Sequence, residues 1–142
     1  MPGYSGTPLA KKLGLKPPLR LLLAGAPREY GEWLGELPAG VAFTTRAGAV
    51  VEAAHVFAIE RAALAKRLRD LRRRLAPSGF VWVSWPKKAS RVATDITEDV
   101  IRELALPLGF VDIKVCAVSD VWSGLKLVVR RSERPAKRGA AS

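Results

Sequence analysis

Residues 75–85 read Leu75-Ala76-Pro77-Ser78-Gly79-Phe80-Val81-Trp82-Val83-Ser84-Trp85, a proline and a glycine followed at once by an apolar, aromatic and β-branched run. Pro77 and Gly79 end any helix, and an apolar run bounded by such breakers is a strand covered on both faces. Upstream, Leu64, Leu68, Leu71 and Leu75 fall at steps of four, three and four. That spacing predicts a helix over 61–75 with one leucine stripe and the arginines around the remaining surface. Downstream, after a polar loop over 86–94, Asp95 and Glu98 fit a capping box, and Ile96, Val100, Ile101 and Leu104 give the next helix its buried side until Pro107 and Gly109. A buried strand flanked by two amphipathic helices is the repeating unit of an α/β sheet.

Working outward, apolar runs at 20–24, 41–45 and 53–59 predict three more strands, the first lying between Pro17-Pro18 and Gly25. Thr7-Pro8 predicts a short helix ending near Gly14, and Pro27 with Glu29 opens another whose apolar face is Tyr30, Trp33, Leu34 and Leu37. The segment 46–52 is too short for a full helix. Strands at 113–118 and 125–129, joined by a polar loop that carries Asp120 and Trp122, make an antiparallel pair. The alternation predicts a mostly parallel sheet with right-handed crossovers. The helix closing on Leu-Ala-Pro-Ser-Gly, the apolar strand, the helix and then Gly109-Phe110 entering a strand pair resemble the second half of class I methyltransferase folds. That resemblance implies a Rossmann-like three-layer sandwich with six strands in the order 2-1-3-4-6-5, the last antiparallel and inserted.

The chain has 142 residues and 24 Lys+Arg against 13 Asp+Glu, a net charge of +11. This is one domain, over 1–131, large enough to bury a core without disulfides. The basic tail over 132–142 lacks large apolar side chains and is expected to be disordered. The single Cys116 and single His55 both fall in strand interiors, which gives no disulfide framework, no metal site and no Cys-His pair. No apolar run is long enough to span a bilayer and no signal peptide is recognisable, so the expected location is cytoplasmic and no membrane partner is expected. The charge favours an anionic partner, a nucleotide or nucleic acid. Most of it, however, lies in the tail and around the 61–75 helix, where a charged outer face is expected in any case.

Three segments are candidate sites. The loop Trp85-Pro86-Lys87-Lys88-Ala89-Ser90-Arg91 leaves the carboxyl end of a central strand, where open α/β sheets bind ligands. Its two lysines, Arg91, the Ser90 hydroxyl and the Trp85 indole suit a phosphate or single-stranded nucleic acid; a solvated basic turn is the plainer alternative. Gly3-Tyr4-Ser5-Gly6-Thr7 with Lys11 and Lys12 either presents amides and charge to an anion or caps one end of the sheet. Trp122, with Ser123-Gly124 after Asp120, either lines a pocket or covers the core edge. A methyltransferase would place a glycine-rich turn after the first strand and an acid after the second. Here Gly25 is the one useful glycine, Pro27 removes an amide, and Thr44-Thr45-Arg46 offers no carboxylate.

The strings Gly3-Tyr4-Ser5-Gly6-Thr7-Pro8-Leu9-Ala10-Lys11-Lys12-Leu13-Gly14, Trp82-Val83-Ser84-Trp85-Pro86-Lys87-Lys88-Ala89-Ser90, Thr94-Asp95-Ile96-Thr97-Glu98-Asp99-Val100 and Lys114-Val115-Cys116-Ala117-Val118 with Trp122-Ser123-Gly124-Leu125 are similar to a small bacterial family, domain of unknown function 3052. The likeness covers nearly the whole chain before the tail. It implies a bacterial single-domain protein and brings no reaction, ligand or partner with it. The arginine-rich helix and tail depart from the family pattern. The sequence therefore leads to a non-enzymatic protein that binds an anionic ligand at the strand carboxyl ends. The alternatives are a methyltransferase-like enzyme with a degenerate S-adenosylmethionine site, or a protein-protein interaction module of undetermined oligomeric state.

Overall fold

The computed structural model describes residues 8–134. Gly3 to Thr7 and most of the basic tail lie outside the described residues. Six strands form one sheet: β1 (Leu19–Ala24), β2 (Val41–Thr44), β3 (Val51–Phe57), β4 (Leu75–Pro86), β5 (Phe110–Ala117) and β6 (Trp122–Val129). Their order is β2-β1-β3-β4-β6-β5, with β6 antiparallel to both of its neighbours and the other pairings parallel. This is the predicted class I methyltransferase-like order.

The apolar runs are continuous because helices cover both faces. On one side pack α3 (Arg61–Arg74) and α4 (Glu98–Ala105), burying Leu64, Leu68, Leu71, Ile101 and Ala105 against Leu22, Ala54, Val56, Val81, Val83, Leu125 and Leu127. On the other side α1 (Leu9–Lys12) and α2 (Tyr30–Leu34) cover Leu21, Ala53, Phe57 and Trp82. α1 is too short to hold itself, and the Trp82 indole N–H fastens it by donating to the Leu13 carbonyl at 2.8 Å.

Several elements differ from the sequence expectations. α2 stops at Leu34, where Gly35 takes φ +70°, so Leu37 packs from outside the helix. The hydroxyl that caps α4 is Thr97, accepting from Val100 N–H; the Asp95 carboxylate instead accepts from Arg61 N–H at the head of α3, so the expected Asp95-Glu98 box does not form. β4 begins at Leu75, which pairs with Val51 before Pro77 and Gly79 break the register. Trp122 is the first residue of β6, opposite Pro86, rather than a loop residue. At the tail, Arg131–Glu133 form an exposed 3-10 turn. β5 carries a register shift between Asp112 and Lys114 and leaves Ile113 and Val115 on the outer edge, 56% and 52% exposed.

As expected, 45–50 contains no helix. The crossover from β2 to β3 therefore leaves the outer face of β1 and β2 open as a groove of about 390 Å³ that includes Arg20, Thr44, Arg46 and Glu52.

Trp82→Phe removes the N–H that satisfies the buried Leu13 carbonyl and leaves a gap under α1. Denaturant unfolding is expected to show a loss of about 2–4 kcal/mol, whereas a loss below about 0.5 kcal/mol would mean that α1 is held by other contacts.

Candidate functional site

The carboxyl ends of β1 to β4 and the turn into β6 meet at one edge of the molecule. The strand β4 leaves this edge into a 3-10 turn, Lys88–Ser90, and Arg91 closes it in the left-handed conformation at φ +62°. The Ser90 hydroxyl donates to the Lys87 carbonyl at 2.6 Å and accepts from Val92 N–H, so it holds the turn rather than facing outward. Lys87 N–H donates to the Val121 carbonyl at 2.7 Å, tying this loop to the β5–β6 turn. Lys88 and Arg91 are exposed and Lys87 half-buried. None of the three is in an ion pair among the described residues.

The other predicted site residues are scattered. Trp85 is a core residue facing α3 and α4, 8% exposed, with no free ring face for stacking. Trp122 rests edge-on against Phe57, ring centres 5.0 Å apart. Lys11 is exposed on α1, while Lys12 donates to the Ala117 carbonyl and joins Lys16, Lys114 and Lys126 beside β5 and β6. Burial first, then Lys114 and Lys16, pulls the Lys126 pKa below its ordinary value, and its ammonium sits 4.4 Å over the Phe80 ring. Cys116 is half-buried rather than buried; burial pushes its thiol up, as fits an inert cysteine.

Beneath this edge lies a polar chain that the sequence reading passed over. The Tyr30 hydroxyl is 2.8 Å from His55 Nδ1, and His55 Nε2 is 2.7 Å from Ser84 Oγ, with His55 and Ser84 fully buried. A neutral imidazole donates at one nitrogen and accepts at the other, so both hydroxyls are satisfied. Burial lowers the His55 pKa to about 3 and raises that of Tyr30. Ser and His in contact suggest a nucleophile and base, but the group is sealed between the sheet and α2 and reaches no substrate. The available signal was a lone polar residue within each of the apolar runs 53–59 and 80–85: a histidine there must be paired, and Ser84 lies one strand away on the same face.

Among solved structures, the chain is similar to an S-adenosylmethionine-dependent methyltransferase from Aquifex aeolicus, with 14% identity over 85% of this chain and 88% of that one and a TM-score of 0.60. A 1,6-didemethyltoxoflavin-N1-methyltransferase from Burkholderia thailandensis shares 18% identity over 86% and 75%, with a TM-score of 0.57. A ribosomal protein L11 methylase from Lactobacillus delbrueckii shares 13% over 87% and 76%, with a TM-score of 0.54. No protein-family model and no curated protein matches the sequence. At these identities the likeness shows the fold, which is that of class I methyltransferases.

The turn after β2 lacks the acid that would hold the ribose of that fold's cofactor. Gly25, at φ +71°, lets the turn after β1 close directly on the end of β3: a Cβ there would stand 2.7 Å from the Phe57 carbonyl oxygen. A side chain is therefore excluded at this position, while Gly25 itself is exposed. After β2, the Thr44 hydroxyl accepts from Arg46 N–H within its own turn, and Thr45 and Arg46 supply no carboxylate for a ribose. Gly25, Thr44, Trp85 and Lys87 go to separate surroundings.

The buried imidazole makes stability pH-dependent. The unfolded chain binds its proton near pH 6.5 and the folded chain only near pH 3, so the contribution is intact above pH 6.5 and is lost as pH falls through that window. Between pH 6.5 and about 5 the unfolding free energy should drop by about 1.5–2 kcal/mol on this account. His55→Phe, less stable at pH 7, should flatten that slope in equilibrium unfolding; an unchanged slope would remove His55 as its cause.

Proposed function

We propose that this chain is a binding protein on a methyltransferase scaffold, taking an anionic ligand, a nucleotide or nucleic acid, on the loop that follows β4. The observation that carries this reading is the trio Lys87, Lys88 and Arg91, gathered within five residues at the end of a central strand and without ion pairs among the described residues. By contrast, Arg61, Arg73 and Arg74 of α3 are paired with Glu103 and Asp70. Ligands of open α/β sheets fall at the strand carboxyl ends, and cations held there attract phosphate without further machinery. Among the described residues no acid, base or nucleophile constellation accompanies the loop, and the Tyr30-His55-Ser84 chain lies beneath it out of reach of solvent.

The fold favours a second reading, a methyltransferase-like enzyme, and the missing carboxylate after β2 weighs against it. Calorimetry separates the two. Nucleoside triphosphates or labelled oligonucleotides should bind in a salt-sensitive manner, and Lys87→Ala with Lys88→Ala should weaken binding. For duplex DNA the slope of log affinity against log salt should fall by about 0.9 for each lysine that contacts phosphate. S-adenosylmethionine should give no heat. Saturable S-adenosylmethionine binding would support the enzyme, and the absence of any salt-sensitive anion binding would overturn the proposed function.

A further inference from the structure

A cleft of about 330 Å³ opens between the start of α2 and the turn from β5 into β6, lined by Glu29, Trp33, Ser119, Asp120, Val121 and Trp122. Its walls include two indoles and two carboxylates, and among the described residues no lysine or arginine lines it, in a chain with almost twice as many cations as anions. Elsewhere Asp70, Glu98, Asp99, Glu103 and Asp112 are held by arginines, while Glu32, Glu36, Glu60 and Glu133 stand exposed and away from this cleft. The Glu29 and Asp120 carboxylates are in no ion pair or hydrogen bond among the described residues.

The walls are fixed before anything binds. Ser119 Oγ accepts from Val121 N–H and Trp122 N–H, and Val118 and Ser119 N–H both donate to the Trp122 carbonyl, which sets Asp120 at the tip of a tight turn. Behind the cleft, Phe57 braces both indoles, with ring centres 5.0 Å from Trp122 and 6.4 Å from Trp33; Trp33 also meets Tyr30 edge-on. Indole faces attract cations, and the attraction is greatest for a cation that gives up little hydration. A lysine ammonium is strongly hydrated and seeks hydrogen bonds. A trimethylammonium group has no N–H to satisfy, spreads its charge over methyl groups that pack on indole, and takes long-range attraction from the two carboxylates.

We propose that this cleft is a binding site for a trimethylammonium group, carried by a free small molecule or by a trimethylated lysine side chain. The site is independent of the basic loop, whose side chains do not line it.

The test is titration of the full chain with choline, with a peptide containing trimethyl-lysine, and with 3,3-dimethylbutanol, the neutral isostere of choline. Tryptophan fluorescence and calorimetry follow binding. Choline or the peptide should bind saturably, with the isostere at least about tenfold weaker. A peptide that binds more tightly than choline identifies the modified lysine as the source, and the reverse identifies the free molecule. Asp120→Asn and Glu29→Gln should each weaken binding about 3- to 10-fold without moving the thermal midpoint, since neither carboxylate has a partner to lose. Lys87→Ala with Lys88→Ala should leave cation binding unchanged, so failure of the anion reading does not touch this one. The inference is overturned if neither cation saturates below about 20 mM, if the isostere binds equally well, or if both carboxylate variants bind as the parent does.

Discussion

A sheet buried on both faces admits a polar side chain only where a partner waits inside, and the whole inner surface of β3 and β4 obeys that constraint. Trp82 passes its N–H to Leu13, and His55 divides its two nitrogens between Tyr30 and Ser84. Among the described residues no buried side-chain nitrogen or oxygen is left without a partner. An unpaired group of this kind costs roughly 1–3 kcal/mol. These contacts also assemble the layer: they bring α1 and α2, both too short to persist alone, onto the face of the central strands. The aromatic cluster of Tyr30, Phe57, Trp33 and Trp122 then grows outward from His55 to the carboxyl edge. The rigidity of the edge thus depends on a hydrogen-bonded interior.

The fold was legible because its evidence is redundant. Two-sided burial forces unbroken apolar runs, and the leucine stripe of α3 can serve only a helix. What was not legible turned on tertiary choices among equivalent local signals. Asp95, Thr97 and Glu98 all suit a helix start, and only the approach of α3 decides that Asp95 serves Arg61 while Thr97 serves α4. Trp122 follows a turn-like Ser119-Asp120, and its pairing with Pro86 across β4 is a long-range event. The candidate site was legible in part. The basic loop was found from its place after a central strand. The internal hydrogen bonding of Ser90, the burial of Trp85 and the convergence of Glu29 with Asp120 from distant segments leave no periodic trace in a single chain.

The positive charge divides by residue type as well as by segment. Several arginines act as staples: Arg72 donates to the Leu108 carbonyl, Arg74 to Gly48, Arg130 to Leu106 and Arg134 to Val129. Arg102 grips Glu98, Asp99 and Asp112 together, joining α4 to β5, and the hydrogen bonds it donates to Asp112 and Glu98 raise its pKa. A planar fork with five donors suits that work, whereas a lysine ammonium is better kept in water. The formal charge of +11 is therefore a poor guide to partners, because the groups that bridge loops to carbonyls are already engaged in holding the fold.

The outer strand β5 carries one further consequence. An exposed edge with adjacent apolar side chains invites another chain to add itself as the next strand. Ile113 and Val115 would form such a template, but Lys114 stands between them and the register shift beside Asp112 twists the ladder out of line. A second copy docking there would have to bury an ammonium and match a kink, so the irregularity in β5 raises the cost of adding a seventh strand.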